Sequence, residues 1–165
     1  RGGDELNRVG RGLNYGWPTI TWGLGYDGRP IPESTGSSAP GLEQPQHQWT
    51  PSIGTSGLAF YQHARSAEWI NSVFVGGLVT RSLHRLRLDA NDRVVFQEQI
   101  LSGLNWRIRD VRVAPDGALL LLTDDTNGRV LRLEPPVVTP RRKGPVTLPT
   151  STTGEDRLGK RDRRL

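Results

Sequence analysis

The sequence predicts an all-β chain and, within that class, a β-propeller. Three observations carry the prediction. Chain breakers are dense, with 20 Gly and 12 Pro among 165 residues, too many for a helical bundle and typical of a chain that turns back often. No stretch of ten or more residues has helical periodicity, whereas short runs of period two recur from Ser56 onward. These runs form two series in the same order: Leu58 matches Val111, Phe74 matches Leu120 and Leu86 matches Leu131, at offsets of 53, 46 and 45 residues. A repeat near that length, built of about four short strands, marks a propeller blade. About two blades plus a loop-rich lead-in do not close a ring of ~4–8, so the ring is incomplete as it stands: either the chain is a piece of a longer propeller or its edges are unprotected.

The elements follow in order. Residues 1–55 are rich in Gly and Pro and read as a long loop region with short extended pieces, anchored by Tyr15, Trp17, Trp22 and Tyr26. Long ordered loops of this kind usually carry function. Gly57-Leu58-Ala59-Phe60-Tyr61 is a first apolar strand and Val73 to Leu78 a second. Ser82 to Leu88 alternates, with His84, Leu86 and Leu88 on one face and Leu83, Arg85 and Arg87 on the other. Asp89-Ala90-Asn91-Asp92 supplies a turn and Val94-Val95-Phe96 resumes a strand. The second series runs through Asp110 to Val113, a turn at Pro115-Asp116-Gly117, Ala118 to Leu122, a turn at Asp125 to Gly128, and Arg129 to Leu133.

Composition narrows the function classes. The chain has no Cys, which removes disulfides, thiolate metal sites and cysteine nucleophiles together. It also has no Met, so it is expected to be a processed product or a segment of a longer protein. No apolar run approaches the ~18–20 residues of a membrane-spanning helix, and no leader pattern is legible. The net charge of +5 is uneven: residues 1–136 hold 14 basic and 14 acidic side chains, and residues 137–165 hold 8 and 3. That basic tail lacks aromatic residues and apolar periodicity, so disorder is expected. Without aromatic platforms for stacking bases it predicts no specific nucleic-acid binding.

Arg107-Ile108-Arg109-Asp110 opens the second blade. Residues two apart in a strand share a face, so Arg107 and Arg109 can present two guanidiniums to one carboxylate or phosphate ligand. The alternative is a solvated strand edge on which Asp110 pairs one Arg. Asp4-Glu5, with Tyr15 ten residues after Glu5, can supply oxygen ligands to calcium; the alternative is a pair of solvated loop carboxylates. Asp124 to Gly128 resembles part of a calcium loop but lacks the later bidentate Glu, so a hairpin turn is expected. His47, His63 and His84 have neither metal spacing nor a triad pattern, and structural roles are expected for all three. Gly10-Arg11-Gly12 lacks the third Gly of a dinucleotide fingerprint.

Taken together, several motifs resemble one family. They are Gly2-Gly3-Asp4-Glu5-Leu6-Asn7, Gly12-Leu13-Asn14-Tyr15-Gly16-Trp17-Pro18, Arg107-Ile108-Arg109-Asp110-Val111, Pro115-Asp116-Gly117 and Leu122-Thr123-Asp124. In this order and spacing they are similar to the soluble PQQ-dependent aldose sugar dehydrogenases, the glucose/sorbosone dehydrogenase family, over roughly residues 1–135. The resemblance implies a six-bladed propeller, of which residues 1–136 are the C-terminal part, with pyrroloquinoline quinone (PQQ) near the central axis and calcium as a second cofactor. It implies PQQ contacts at Tyr26, Gly77, Leu78, Val79, Arg107, Ile108 and Arg109, and a structural calcium site at Glu5 (carboxylate) and Tyr15 (backbone oxygen). Val79 stands where many relatives carry Lys, which removes one charged contact. The implied reaction is oxidation of an aldose at its anomeric carbon to a lactone, with an external electron acceptor and a periplasmic or secreted setting. The implied histidine base lies upstream of Arg1, so no residue of this chain is assigned a catalytic role and the segment alone is expected to be inactive. A non-catalytic propeller binding module is the alternative, because fold alone does not settle function.

Overall fold

A computed structural model describes residues 1–136; the expectation for the tail at 137–165 lies outside the described residues. Strands β1 (Asp4–Leu6) and β2 (His47–Trp49) pair antiparallel, with Glu5 opposite Gln48. They are the short extended pieces of the lead-in. A four-stranded antiparallel meander follows: β3 (Thr55–Tyr61), β4 (Ser72–Gly77), β5 (Ser82–Leu88) and β6 (Val94–Ile100). A single 3₁₀ turn at Ser102–Leu104 leads to a second meander, β7 (Ile108–Val113), β8 (Leu119–Thr123) and β9 (Val130–Leu133). The described residues contain no α-helix.

The predicted repeat is present. Leu58 and Val111 lie in β3 and β7, Phe74 and Leu120 in β4 and β8, and Leu86 and Leu131 in β5 and β9. The turns are built as their residues require. Asp89 Oδ1 accepts the backbone N–H groups of Asn91 and Arg93, which closes the β5–β6 hairpin. Gly117, at φ +82, closes the β7–β8 turn with its N–H donating to Ala114 O, a conformation that costs Gly little. Two consecutive blades with an unclosed ring make this chain an incomplete propeller.

Both faces of the first blade are covered, so the alternating strand Ser82 to Leu88 is largely buried on both sides, with Arg87 left exposed. On one side of the first blade, Tyr61, Phe74 and Leu83 pack against Ile108, Val111, Leu119 and Leu121 of the second. On the other side, Val73, Val75 and Leu86 pack against Trp49 and Ile53, with Leu6 alongside. β4 is therefore buried at every position, as a strand between two layers must be. Arg85 falls on the inner face and is only 2% exposed. It is tolerated there because Ser72 Oγ accepts from its Nε at 3.0 Å and the Glu98 carboxylate lies 2.6 Å from Nη1, which satisfies a charge that burial would otherwise penalise heavily. At the same end of the blades as the β3–β4 connection, the Tyr61 hydroxyl donates to Gly117 O at 2.8 Å within the core. Arg65, Asp116, Arg132 and Glu134 form an exposed ion-pair network there.

Candidate functional site

The opposite end of the blades brings the Gly77–Val79 turn close to the start of β7, where Arg107–Arg109 lie. Its frame is a carboxylate no sequence signal assigned to that task. Asp4 Oδ2 accepts from Ser52 Oγ (2.7 Å) and from the backbone N–H groups of Ile53 (3.0 Å), Gly54 (3.0 Å) and Thr55 (3.3 Å). Gly54 sits at φ +64, and successive N–H groups bent in this way form a nest for an anionic oxygen. The carbonyls of the same loop hold the next one. Gly54 O accepts from Leu78 N and Ile53 O accepts from Val79 N, each at 2.9 Å. Gly77, Leu78 and Val79 are thus fixed through their backbone, and Val79 leaves its side chain 66% exposed.

The second blade is brought against this frame by the absence of side chains. A Cβ on Gly76 would stand 2.8 Å from Ile108 O, and one on Gly57 would stand 2.1 Å from Asp110 Oδ1. Ser56 Oγ also donates to Ile108 O at 2.6 Å. The N-terminal end of β7 therefore lies beside the C-terminal end of β4, and Ile108 puts its own side chain into the core, 1% exposed. Its contribution to the site surface is backbone.

Arg107 and Arg109 converge, though not on the partner the strand pattern suggested. Register shifts between Ile108 and Asp110, and such a bulge re-aims neighbouring side chains. Both guanidiniums reach Asp124. Arg107 donates from Nε (2.8 Å) and Nη2 (2.7 Å) to Oδ2, and Arg109 from Nε (3.1 Å) and Nη2 (2.9 Å) to Oδ1. Asp110 instead pairs Arg112 at 3.1 Å. The hydrogen bonds from Arg109 and then Arg107 hold the Asp124 carboxyl below the usual carboxylate range. Asp124 is the residue missed by sequence reasoning; it precedes the expected hairpin turn, where Asp125 Oδ1 accepts from Asn127 N. With charge-assisted forks beside an ordered backbone edge, this end of the molecule is suited to a ligand bearing several carboxylates.

Tyr26 is 93% exposed and lines a cleft of about 450 Å³ whose walls include Trp17, Leu24, Asp4 and Ser52, so Asp4 links it to the 52–55 loop. Glu5 Oε2 accepts from Asn7 Nδ2 at 3.0 Å, and Asn7 Oδ1 is buried without a partner. The Tyr15 hydroxyl is occupied, donating to Arg8 O and accepting from Gly10 N, which leaves its backbone carbonyl as the donor for a cation. Among the described residues no three His, Asp or Glu side chains converge as a metal cluster; Glu5 and Asn7 carry carboxylate and amide oxygens, the donor type a hard cation takes. His47 and His84 flank Trp49, with ring centroids 4.6 and 6.2 Å away. Burial lowers the proton affinity of both, and for His84 the neighbouring His47 lowers it further. His63 packs beneath Gly117 at the far end.

Comparison with known proteins places this arrangement. A family model described as glucose / sorbosone dehydrogenase matches residues 1–132. The aldose sugar dehydrogenase YliI of Escherichia coli strain K12 is 42% identical over 135 residues, covering 82% of this chain and 36% of that protein. A crystal structure of a glucose dehydrogenase superposes with a TM-score of 0.79 at 48% identity, covering 82% of this chain and 39% of the other. The PQQ-bound aldose sugar dehydrogenase of Streptomyces coelicolor superposes with a TM-score of 0.54 at 26% identity, covering 79% of this chain and 37% of the other. The chain thus spans little more than a third of the length of these relatives. Among the described residues no helix is long and apolar enough to cross a membrane. The family model spans most of the chain and the relatives share its all-β architecture, and the chain belongs to the glucose/sorbosone dehydrogenase family.

Proposed function

We propose that this chain is the C-terminal portion of a PQQ-dependent aldose dehydrogenase, contributing one wall of its cofactor site. The observation that carries the reading is the convergence of Arg107 and Arg109 on Asp124, around an Ile108 whose backbone lies against Gly76 at the end of β4. PQQ carries three carboxylates, and among the described residues neither Arg Nη1 has a protein acceptor, so the donor set fits the group. When bound, PQQ supplies the ortho-quinone that accepts hydride from the anomeric carbon of the aldose, leaving the lactone. The chain's own residues bind and orient. Arg107 and Arg109 hold carboxylates and place positive charge where negative charge accumulates. Leu78 and Val79 set the height of the backbone edge, and Tyr26 offers an exposed ring to the cleft. His47, His63 and His84 take no part; the proton from the sugar hydroxyl is assigned to a base elsewhere in the longer protein. Calcium is assigned to Glu5, the Tyr15 carbonyl and the orphaned Asn7 oxygen, where it would tie the lead-in loop to β1. A periplasmic or secreted setting, with an external electron acceptor, goes with this reading by kinship alone.

In the full-length protein, Arg107→Ala and Arg109→Ala should each weaken PQQ binding by about 1.5–3 kcal/mol, the scale of a charged hydrogen bond, as measured by titration of apoprotein. Unchanged affinity in both would overturn the assignment. Glu5→Gln should abolish the rise in melting temperature on adding calcium while leaving turnover at saturating PQQ nearly intact. A rise equal to wild type would remove the metal assignment.

A further inference from the structure

We propose that Asp124 is a positioning residue of the cofactor site, clamping Arg107 and Arg109 side-on so that their free Nη1 ends face one polycarboxylate ligand. The inference rests on the reading of those arginines as PQQ contacts. Each Asp124 oxygen serves one guanidinium: Oδ2 takes Nε and Nη2 of Arg107, and Oδ1 takes Nε and Nη2 of Arg109. A guanidinium is rigid and planar, so holding its Nε–Nη2 edge also fixes the direction of Nη1. Asp124 is itself anchored, because its N–H donates to Arg107 O at 2.8 Å. The clamp is thus closed at both ends, across the β7–β8 pair.

Two physical roles for Asp124 predict opposite signs. As a counter-charge only, it would lower the net charge of the trio from two positive to one and weaken the attraction for an anionic ligand. As a positioning group, it removes rotamer freedom from two long side chains before the ligand arrives, and ordering such side chains is a substantial cost of binding. The side-on geometry, which leaves both Nη1 groups presented, favours the second.

The test uses full-length apoprotein titrated with PQQ and followed by tryptophan fluorescence, with Asp124→Asn, Asp124→Ala and Asp124→Glu beside Arg107→Ala and Arg109→Ala. Positioning predicts that Asp124→Asn and Asp124→Ala bind PQQ about tenfold more weakly. Asp124→Glu, which keeps a carboxylate, recovers most of the loss. Melting temperature is recorded for each variant, and the near-isosteric Asn variant serves if Ala disturbs the fold. Equal or tighter binding in the Asn variant overturns the proposal, as does a loss that Glu fails to recover. If the two Arg variants bind PQQ normally, the underlying cofactor reading falls and takes the clamp with it. Normal affinity in Asp124→Asn with impaired Arg variants sinks the clamp alone.

Discussion

Replacing Asp4 tests the frame on which the whole site stands. Its Oδ2 accepts four hydrogen bonds, at 2.7, 3.0, 3.0 and 3.3 Å. The longest goes to the exposed Thr55 and is discounted. Hydrogen bonds to a charged acceptor contribute about 1.5–3 kcal/mol each when fully desolvated, but Asp4 is half-buried, and water can reach part of the nest. Asp4→Ala in the full-length protein should therefore cost roughly 3 kcal/mol for the three good bonds together, well below their simple total. Asp4→Asn keeps an acceptor without its charge and should cost about 1–1.5 kcal/mol. Equilibrium urea unfolding reads both. PQQ affinity should fall in parallel, since Leu78 and Val79 are held by the carbonyls of the loop that Asp4 organises. An Asp4→Ala protein within about 0.5 kcal/mol of wild type, the range of an ordinary surface change, would refute the nest as a source of stability.

The remaining predictions concern the core and pH. Tyr61→Phe leaves the ring packing intact but strips Gly117 O of its buried donor, and should lower stability by about 1–2 kcal/mol in urea unfolding; no change would mean that water or another donor replaces the hydroxyl. His47 and His84 both have proton affinity lowered from the ordinary 6.5 by burial, so the unfolded chain binds protons that the folded chain refuses. Stability should therefore be level above about pH 6.5 and decline as pH falls through the lowered values. The double change His47→Gln with His84→Gln should flatten that decline, and an unaltered slope would acquit the pair. Asp116, held at about 2 chiefly by its hydrogen bond from Arg132, contributes stability that is complete above 3.8 and lost between there and about 2; Asp116→Asn should remove that acid limb.

The strands were legible because their signal is local. Period-two runs and Asp-, Asn- and Gly-bearing turns sit within a few residues of one another, and the repeat of Leu58, Phe74 and Leu86 at Val111, Leu120 and Leu131 follows from them. What depends on the third dimension was not. The alternation of Ser82 to Leu88 was visible, whereas the burial of Arg85 depends on Ser72 of β4 and Glu98 of β6, which no local pattern brings to it. The pairing of Arg107 with Arg109 was visible in their spacing, whereas Asp124, 15 residues beyond Arg109, sat in a stretch that chain chemistry explained as a turn. Asp4 lies 48 residues from Ser52, and His47 and His84 meet around Trp49 from different layers; no local pattern reports such meetings.

The Asp4 latch also bears on the order in which the molecule assembles. Each meander joins neighbouring strands through short connections, so a blade can form with little loop-closure entropy. β1 and β2, by contrast, are separated by residues 7–46, and Asp4 must find a loop some fifty positions away before Ile53 and Gly54 can bend around it. The blades therefore provide a finished surface on which the lead-in closes late. The rim at Leu78 and Val79, held by the carbonyls of Gly54 and Ile53 in that loop, is the last part of this segment to solidify and the first to loosen under mild denaturation.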